Sequence, residues 1–181
     1  AEKVIDAMSI GDRLFLSNIG VGLSGLTIRN LSKSDKKIWG FLAYVGGALR
    51  NLRKIRPQQF TVVADGEEMT ISSPEISISN SGIINRMVIP QGPEIKMDDG
   101  ALDLCYVKAR SIRDYPRLFL NLIRRKPHYT IIRRLQVRNK VTVRSERSAD
   151  VQADGELMGK TPVTVKLISH AIRVIVPAEK D

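Results

Sequence analysis

The sequence predicts a mainly β fold, an antiparallel two-sheet β-sandwich with about two helices. Three observations lead there. Between Gln58 and Val107 the hydrophobic period is two, as in Phe60–Val63, Glu68–Ile71 and Glu75–Ser79. The apolar runs are short, closely spaced and separated by Gly-, Pro- and Asp-rich turns, a pattern typical of sandwiches. Helical spacing is confined to two windows.

Taken in order, Val4-Ile5 and Leu14-Phe15-Leu16 read as strands around the turn Gly11-Asp12. Ser34 is placed to cap a helix from about Asp35 to Lys54, with Ile38, Phe41, Leu42, Val45, Leu49 and Leu52 on one face. The pair Gly46-Gly47 weakens that helix. Strands follow at Phe60–Val63, Glu68–Ile71, Glu75–Ser79, Met87–Ile89 and Leu102–Val107. Ser111 and Asp114 resemble a capping box for a second helix, about Ile112 to Arg125. The remainder is β: Ile131-Ile132, Leu135–Val137, Val141–Val143, Val151-Gln152, Val163–Leu167 and Ala171–Val176. No low-complexity linker divides residues 1–181, so they are expected to form a single domain.

Composition narrows the function. The 181 residues are 43% hydrophobic, enough for a core. Cys105 is the only cysteine, which rules out an internal disulfide and suggests a reducing, cytoplasmic setting. With His128 and His170 as the only histidines, no zinc cluster can be assembled. The chain begins at Ala1 without a signal-peptide pattern. Its longest apolar stretch, Leu14–Ile28, is broken by Asn18, Gly20, Gly22 and Gly25 and is too short and polar to span a bilayer. The expectation is a soluble protein or one bound at a membrane surface.

The net charge of +10 is unevenly distributed. Residues 108–147 carry 13 Lys/Arg against Asp114 and Glu146, and residues 29–56 carry eight against Asp35. Two basic blocks on an acidic remainder point to phospholipid, nucleotide phosphate or nucleic acid as partner, or simply to solvated helix faces. One Trp, four Tyr and four Phe are few for a reader of nucleic acid, which argues against that partner.

Three motifs could carry chemistry. Gly20-Val-Gly22-Leu-Ser-Gly25 fits a dinucleotide fingerprint by letter, but no βαβ pattern follows it, so glycines at a tight strand exit are the better reading. Asp98-Asp99-Gly100-Ala-Leu-Asp103 is an acidic turn in which Asp99 and nearby carbonyls suit Mg²⁺ or Ca²⁺, or a solvated loop. The letters ADGE occur twice, at Ala64–Glu67 and Ala153–Glu156. Asp-Gly between apolar runs is a hairpin signal, and two carboxylates at a sharp turn also suit phosphoryl transfer.

Several segments in this order resemble one family. They are Ile5-Asp6, Arg13-Leu-Phe15, Gly20-Val-Gly22-Leu, Trp39–Tyr44, Phe60–Glu67, Asn80 with Met87–Pro90, Asp98–Asp103, and Ala153–Glu156 with Thr161-Pro162 and Ala171–Pro177. The family is the soluble diacylglycerol kinase-like lipid kinases, which include bacterial diacylglycerol/lipid kinases and sphingosine kinases. The resemblance covers only the C-terminal half of such an enzyme. The N-terminal nucleotide-binding domain of the family carries a Gly-Gly-Asp-Gly-Thr loop, and that loop does not occur in these residues.

The resemblance implies the lipid-substrate and catalytic-base domain of an ATP- and Mg²⁺-dependent lipid kinase, inactive as this fragment alone. Asp154 would be the general base toward a lipid hydroxyl such as that of diacylglycerol. Glu156 would help hold Mg²⁺ and nucleotide. Asp6 would join a polar network at the domain junction. Asp99, with the carbonyls of Lys96 and Ala101, would form a structural Mg²⁺ site. The partners implied are a lipid, an anionic membrane surface and the nucleotide domain; homodimerisation stays open. The segment after Asn80, Ser81-Gly-Ile-Ile-Asn-Arg86, departs from the family's glycine-rich stretch. The alternative is a non-catalytic module that binds an acidic membrane or protein surface.

Overall fold

A computed structural model of the chain describes residues 1–30, 57–81, 95–107 and 132–177. The two helices expected at 35–54 and 112–125, and the strand at Met87–Ile89, lie outside these residues. Twelve strands and one helix are described. They are β1 (Glu2–Ile10), β2 (Arg13–Phe15), β3 (Asn18–Gly22), α1 (Leu23–Asn30), β4 (Gln58–Ala64), β5 (Glu67–Ser73), β6 (Glu75–Ser79), β7 (Leu102–Val107), β8 (Ile132–Val137), β9 (Lys140–Ser145), β10 (Asp150–Ala153), β11 (Glu156–Lys160) and β12 (Val163–Ile175).

The strands form two six-stranded sheets, ordered β2-β1-β12-β9-β4-β5 and β11-β10-β3-β6-β7-β8. Every pairing is antiparallel. The alternation in the sequence sets the faces. Phe60, Val62 and Ala64 of β4, Val141 and Val143 of β9, and Val163 and Val165 of β12 point inward from the first sheet. Ile19 and Val21, Ile76 and Ile78, and Leu102 and Leu104 meet them from the second. The fold is therefore the β-sandwich expected from the two-residue period.

Four elements differ from the sequence reading. β12 is one strand where two were expected, because a bulge lets it continue. Its register with β1 jumps from Ala7↔Ile168 to Ile5↔Ile172, and His170 sits at φ 53° within the bulge. The run Asn18–Gly22 is a strand and residues 23–30 are a short helix, although two glycines in the strand hide its alternation. β11 was missed because it carries only Leu157 and Met158 as apolar residues and lies at a sheet edge.

The edge strands β2, β5, β8 and β11 each lead into the other sheet, and two of these crossings are built alike. β2 leaves the first sheet and continues into β3 of the second, and β8 leaves the second and continues into β9 of the first. Each corner exposes consecutive backbone N–H groups that no ladder satisfies. At the β8–β9 corner the Asp65 carboxylate accepts them all: Arg138 N at 2.6 Å, Asn139 N at 2.9 Å and Lys140 N at 3.0 Å. Slight burial acts to raise the Asp65 pKa. The three N–H groups and the Arg138 charge outweigh it and hold this carboxyl below its usual value.

Two predictions follow from this packing. Phe60→Ala, at a fully buried site, should cost roughly 3–5 kcal/mol in urea unfolding. Asp65→Asn should cost roughly 1–2 kcal/mol at neutral pH. A depressed folded pKa contributes stability above the unfolded value of about 4, and that stability is lost as pH falls through the folded value. The gap between wild type and variant should therefore close in acid. A gap that persists at low pH contradicts the carboxylate clamp.

Candidate functional site

The second Ala-Asp-Gly-Glu turn joins β10 to β11 and repeats the geometry of the first. Asp154 and Gly155 have φ of 47° and 87°, and Asp65 and Gly66 have 50° and 97°. Positive φ at both central residues gives the twist that a tight hairpin needs, and Asp followed by Gly tolerates it. The Asp154 carboxylate grips the β2–β3 corner as Asp65 grips the other. Oδ2 accepts Leu16 N at 2.7 Å, and Oδ1 accepts Ser17 N at 3.0 Å and Asn18 N at 2.9 Å. Even the return bond matches: Asp154 N donates to Asn18 O at 2.9 Å, and Asp65 N donates to Lys140 O at 3.0 Å.

The two turns differ in their neighbours. Arg13 of β2 reaches across to β11, where Nη2 donates to Glu156 Oε2 at 2.7 Å and Nη1 to Met158 Sδ at 3.3 Å. Its guanidinium also lies 5.4 Å from the Phe15 ring centroid. The corner therefore brings together two carboxylates, Asp154 and Glu156, and one exposed guanidinium. Glu67, the counterpart of Glu156, makes no ion pair among the described residues. In the sequence, Arg13 stands out only as part of the segment Arg13-Leu-Phe15. A β-edge arginine that meets a carboxylate 143 positions away has no local signature.

Behind the turn, a chain of amides and hydroxyls crosses the outer face of the second sheet. Gly155 N donates to Gln152 Oε1, Gln152 Nε2 to Asn18 Oδ1, and Asn18 Nδ2 to Ser77 Oγ at 2.7 Å and Ser79 Oγ at 2.9 Å. These bonds keep β10 in register with β3 and hold the turn in place.

Asp6 is fully buried. Oδ1 accepts His170 N of the β12 bulge at 2.8 Å, and Oδ2 accepts Gly100 N at 2.9 Å. The Asp6 backbone N donates to Met97 O at 2.6 Å, and its carbonyl accepts Asn80 Nδ2 at 2.8 Å. Asn80 also donates from Nδ2 to Leu16 O at 3.2 Å, and its backbone N to Ser17 O at 3.0 Å. Among the described residues Asn80 Oδ1 has no partner. Asp6 thus ties the acidic turn to β1 and β12, and Asn80 ties β1 to the corner that Asp154 grips.

In the acidic turn, Asp99 Oδ1 accepts Ala101 N at 3.2 Å, and Asp98 pairs with Lys3 at 3.1 Å. Asp103 bonds Arg134. Burial pushes the Asp103 carboxyl up, Arg134 acts to lower it, and the Asp99 charge adds to the rise. No group of three or more His, Cys, Asp or Glu is poised to hold a metal among the described residues. An Asp99 site would therefore need carbonyls, such as those of Lys96 and Ala101 that the family resemblance implies. An all-oxygen donor set with one carboxylate fits a hard cation that keeps several waters.

The fingerprint-like glycines are explained by packing. A Cβ on Gly20 would lie 2.1 Å from Ser24 Oγ and 2.6 Å from Glu75 Oε1, and one on Gly25 would lie 2.6 Å from Asp150 O. The N-terminus of α1 is occupied by the chain's own carboxylate: Glu75 Oε2 accepts Ser24 N at 3.0 Å, and Glu75 Oε1 bonds Ser24 Oγ. Burial pushes the Glu75 carboxyl up to about 7, against the Ser24 and Leu23 donors that act to lower it. The C-terminal turn of α1 is held by Arg29 on Asp150. Burial likewise pushes the Cys105 thiol up to about 11, so it is a buried, unreactive thiol and not a nucleophile.

Fold and corner together define an antiparallel β-sandwich domain that presents two carboxylates and an arginine on a clamped hairpin. Residues 18–176 match the family described as the YegS C-terminal NAD kinase β-sandwich-like domain, and the chain belongs to that family. A Staphylococcus carnosus protein provisionally named a lipid kinase is 24% identical over 176 residues, covering 96% of this chain and 56% of its own length. A Synechocystis protein with no assigned activity is 22% identical over 185 residues, covering 99% and 42%. A Bacillus anthracis structure with a provisional diacylglycerol kinase name superimposes with a TM-score of 0.73 at 21% identity, covering 96% of this chain and 56% of that one. The chain thus spans about half the length of the relatives it matches.

The Glu75 geometry predicts a pH effect. A carboxyl whose folded pKa lies above its unfolded value contributes stability that is complete below about pH 4.3 and is lost as pH rises toward about 7. Thermal unfolding of the wild type should show this decline relative to Glu75→Gln. Parallel curves for the two proteins across that window rule out the assignment.

Proposed function

We propose that this chain is the lipid-substrate and catalytic-base domain of an ATP- and Mg²⁺-dependent lipid kinase whose nucleotide-binding domain lies outside these 181 residues. The observation that carries the reading is the corner itself. Asp154, Glu156 and Arg13 stand together on an exposed turn, in a family whose relatives include proteins named as lipid kinases. On this reading the fragment alone has no activity and works at the cytoplasmic face of a membrane.

Asp154 is the base. Its Oδ1 is saturated by Ser17 and Asn18, and Oδ2, with Leu16 as its one donor, keeps a lone pair for the incoming hydroxyl. The proton passes to Oδ2 as the hydroxyl oxygen bonds the γ-phosphorus. The bond from that phosphorus to the bridging oxygen breaks, and ADP leaves. The three backbone donors fix the carboxylate before substrate arrives, so little reorganisation accompanies the transfer. Arg13 offsets the repulsion that two carboxylates would exert on a polyphosphate, and its planar fork suits phosphate oxygens. Glu156 holds Arg13 in position and would share in binding Mg²⁺, which neutralises charge on the transferring group when bound. Asp6 supports the corner from beneath, and Asp99 with the carbonyls of Lys96 and Ala101 would hold a second, structural Mg²⁺.

One observation favours the non-catalytic reading: Asp65 makes the same clamp in a turn with no arginine partner. That twin supplies the control. In the natural-length protein, assayed with ATP and diacylglycerol in mixed micelles, Asp154→Asn should lower kcat by roughly 10²–10⁴-fold. Both Asp154→Asn and Asp65→Asn should lose comparable stability, and Asp65→Asn should keep its turnover. Near-normal kcat in Asp154→Asn, once folded, leaves the clamp as a purely structural device.

A further inference from the structure

The outer faces of the two sheets differ in a way that the proposed chemistry does not use. On the second sheet the outward side chains Ser79, Asp103, Cys105, Asp150 and Gln152 are buried. On the first sheet, Lys140, Arg144 and Lys166 are exposed. Cross-strand register places the residues of this face, which is buried along β1 at Ala7 and Ser9 and exposed on either side of it. Leu14 lies opposite Ser9, Ser9 opposite Lys166, and Lys166 opposite Lys140, so the four form one row across β2, β1, β12 and β9. Ile168, two residues along β12, adjoins the row. Met8, Phe15 and Leu167 occupy the opposite, core side.

Two features of this row have no purpose within the chain. Lys140 and Lys166 stand directly opposite each other, a like-charge pairing that destabilises a sheet. Lys140, Lys166 and Arg144 make no ion pair among the described residues. Beside them Leu14 is 53% exposed and Ile168 38% exposed. Of the carboxylates near this face, Glu68 lies on β5, two strands away from β9, while Glu146 directly follows β9 and Asp12 precedes β2. Aliphatic side chains flanked by unpaired lysines match an interface of acyl chains below anionic headgroups, because lysine stems lie along apolar surface and carry the charge to the phosphates.

We propose that the outer face of the first sheet, along Leu14, Lys166, Lys140 and Ile168, docks the protein on an anionic phospholipid bilayer. The choice of a lipid surface rests on the lipid-kinase reading; the location of the face rests on register and exposure alone. Leu14 lies two residues before Leu16, whose N–H holds Asp154. Docking there brings the reacting corner to the bilayer that supplies its substrate.

The test is flotation of the natural-length protein with vesicles of phosphatidylcholine alone and of phosphatidylcholine mixed with phosphatidylglycerol. The wild type should bind the mixed vesicles and lose binding as salt rises. Lys140→Gln/Lys166→Gln should weaken that binding roughly thirtyfold and flatten its salt dependence, with an unchanged or higher unfolding temperature because the like-charge pair is gone. Leu14→Ser should weaken binding without changing the salt slope. Arg133→Gln, on β8 at the edge of the second sheet opposite β11, should bind as wild type does. Unchanged binding by the double lysine variant, or equal binding of wild type to neutral vesicles, overturns the proposal. So does a double variant that loses only its retention on poly-glutamate, which assigns the face to an acidic protein. Kinase assays in detergent micelles separate the two readings: a wild type inactive in micelles refutes the kinase, while vesicle binding still decides the docking face.

Discussion

The rest of the structure depends on two carboxylates, each holding three consecutive backbone N–H groups where the chain passes from one sheet to the other, at the β2–β3 and β8–β9 corners. A sandwich needs such crossings, and each strips its residues of ladder partners. Asp65 and Asp154 meet that need in the same way, from Asp-Gly hairpins that reach over the neighbouring strand. Each clamp fixes the register of an edge strand, the direction of the next strand and the position of a tight turn. The preorganisation on which the base role proposed for Asp154 relies is thus inherited from its architectural duty.

A second layer of constraint lies under the corner. Asp6, without exposed surface, accepts N–H groups from the β12 bulge and the acidic turn, and Asn80 links β1 to the same corner. A buried carboxylate with two backbone donors is tolerated because those donors would themselves be orphaned without it. On the opposite side, Gly20, Gly22 and Gly25 make room for Glu75, Pro74 and Asp150 against α1. The glycine pattern that imitates a nucleotide fingerprint serves helix seating, and the helix N-terminus that a phosphate would seek is filled by Glu75.

Much of the fold was legible in the sequence. The alternation of Phe60, Val62 and Ala64 against Thr61 and Val63, and of Ile76 and Ile78 against Ser77, predicted both strands and their buried faces, because period two leaves little other choice. β3 escaped because Gly20 and Gly22 stand where outward side chains would have marked alternation. The continuity of β12 escaped because a bulge around His170 looks like a break in the pattern. Of the site, Asp154 and Glu156 were legible as a turn with two carboxylates, and their proposed roles came from resemblance. The equivalence of the two clamps was not legible, since the donors are backbone groups more than seventy residues away from Asp65 and more than a hundred from Asp154.

The sequence by itself determined the sandwich class, the two Asp-Gly hairpins, the acidic turn and membership of a kinase-related family, because periodicity and turn chemistry are local and family patterns are linear. Only the tertiary structure decided which N–H groups each aspartate grips, that Arg13 meets Glu156, that Asp6 is a buried tie, and that Leu14, Lys166 and Lys140 share one exposed row. Those facts arise from strand order and register between segments far apart in the chain. They follow from how the whole set of apolar faces closes on one core, and no single stretch of sequence carries that information.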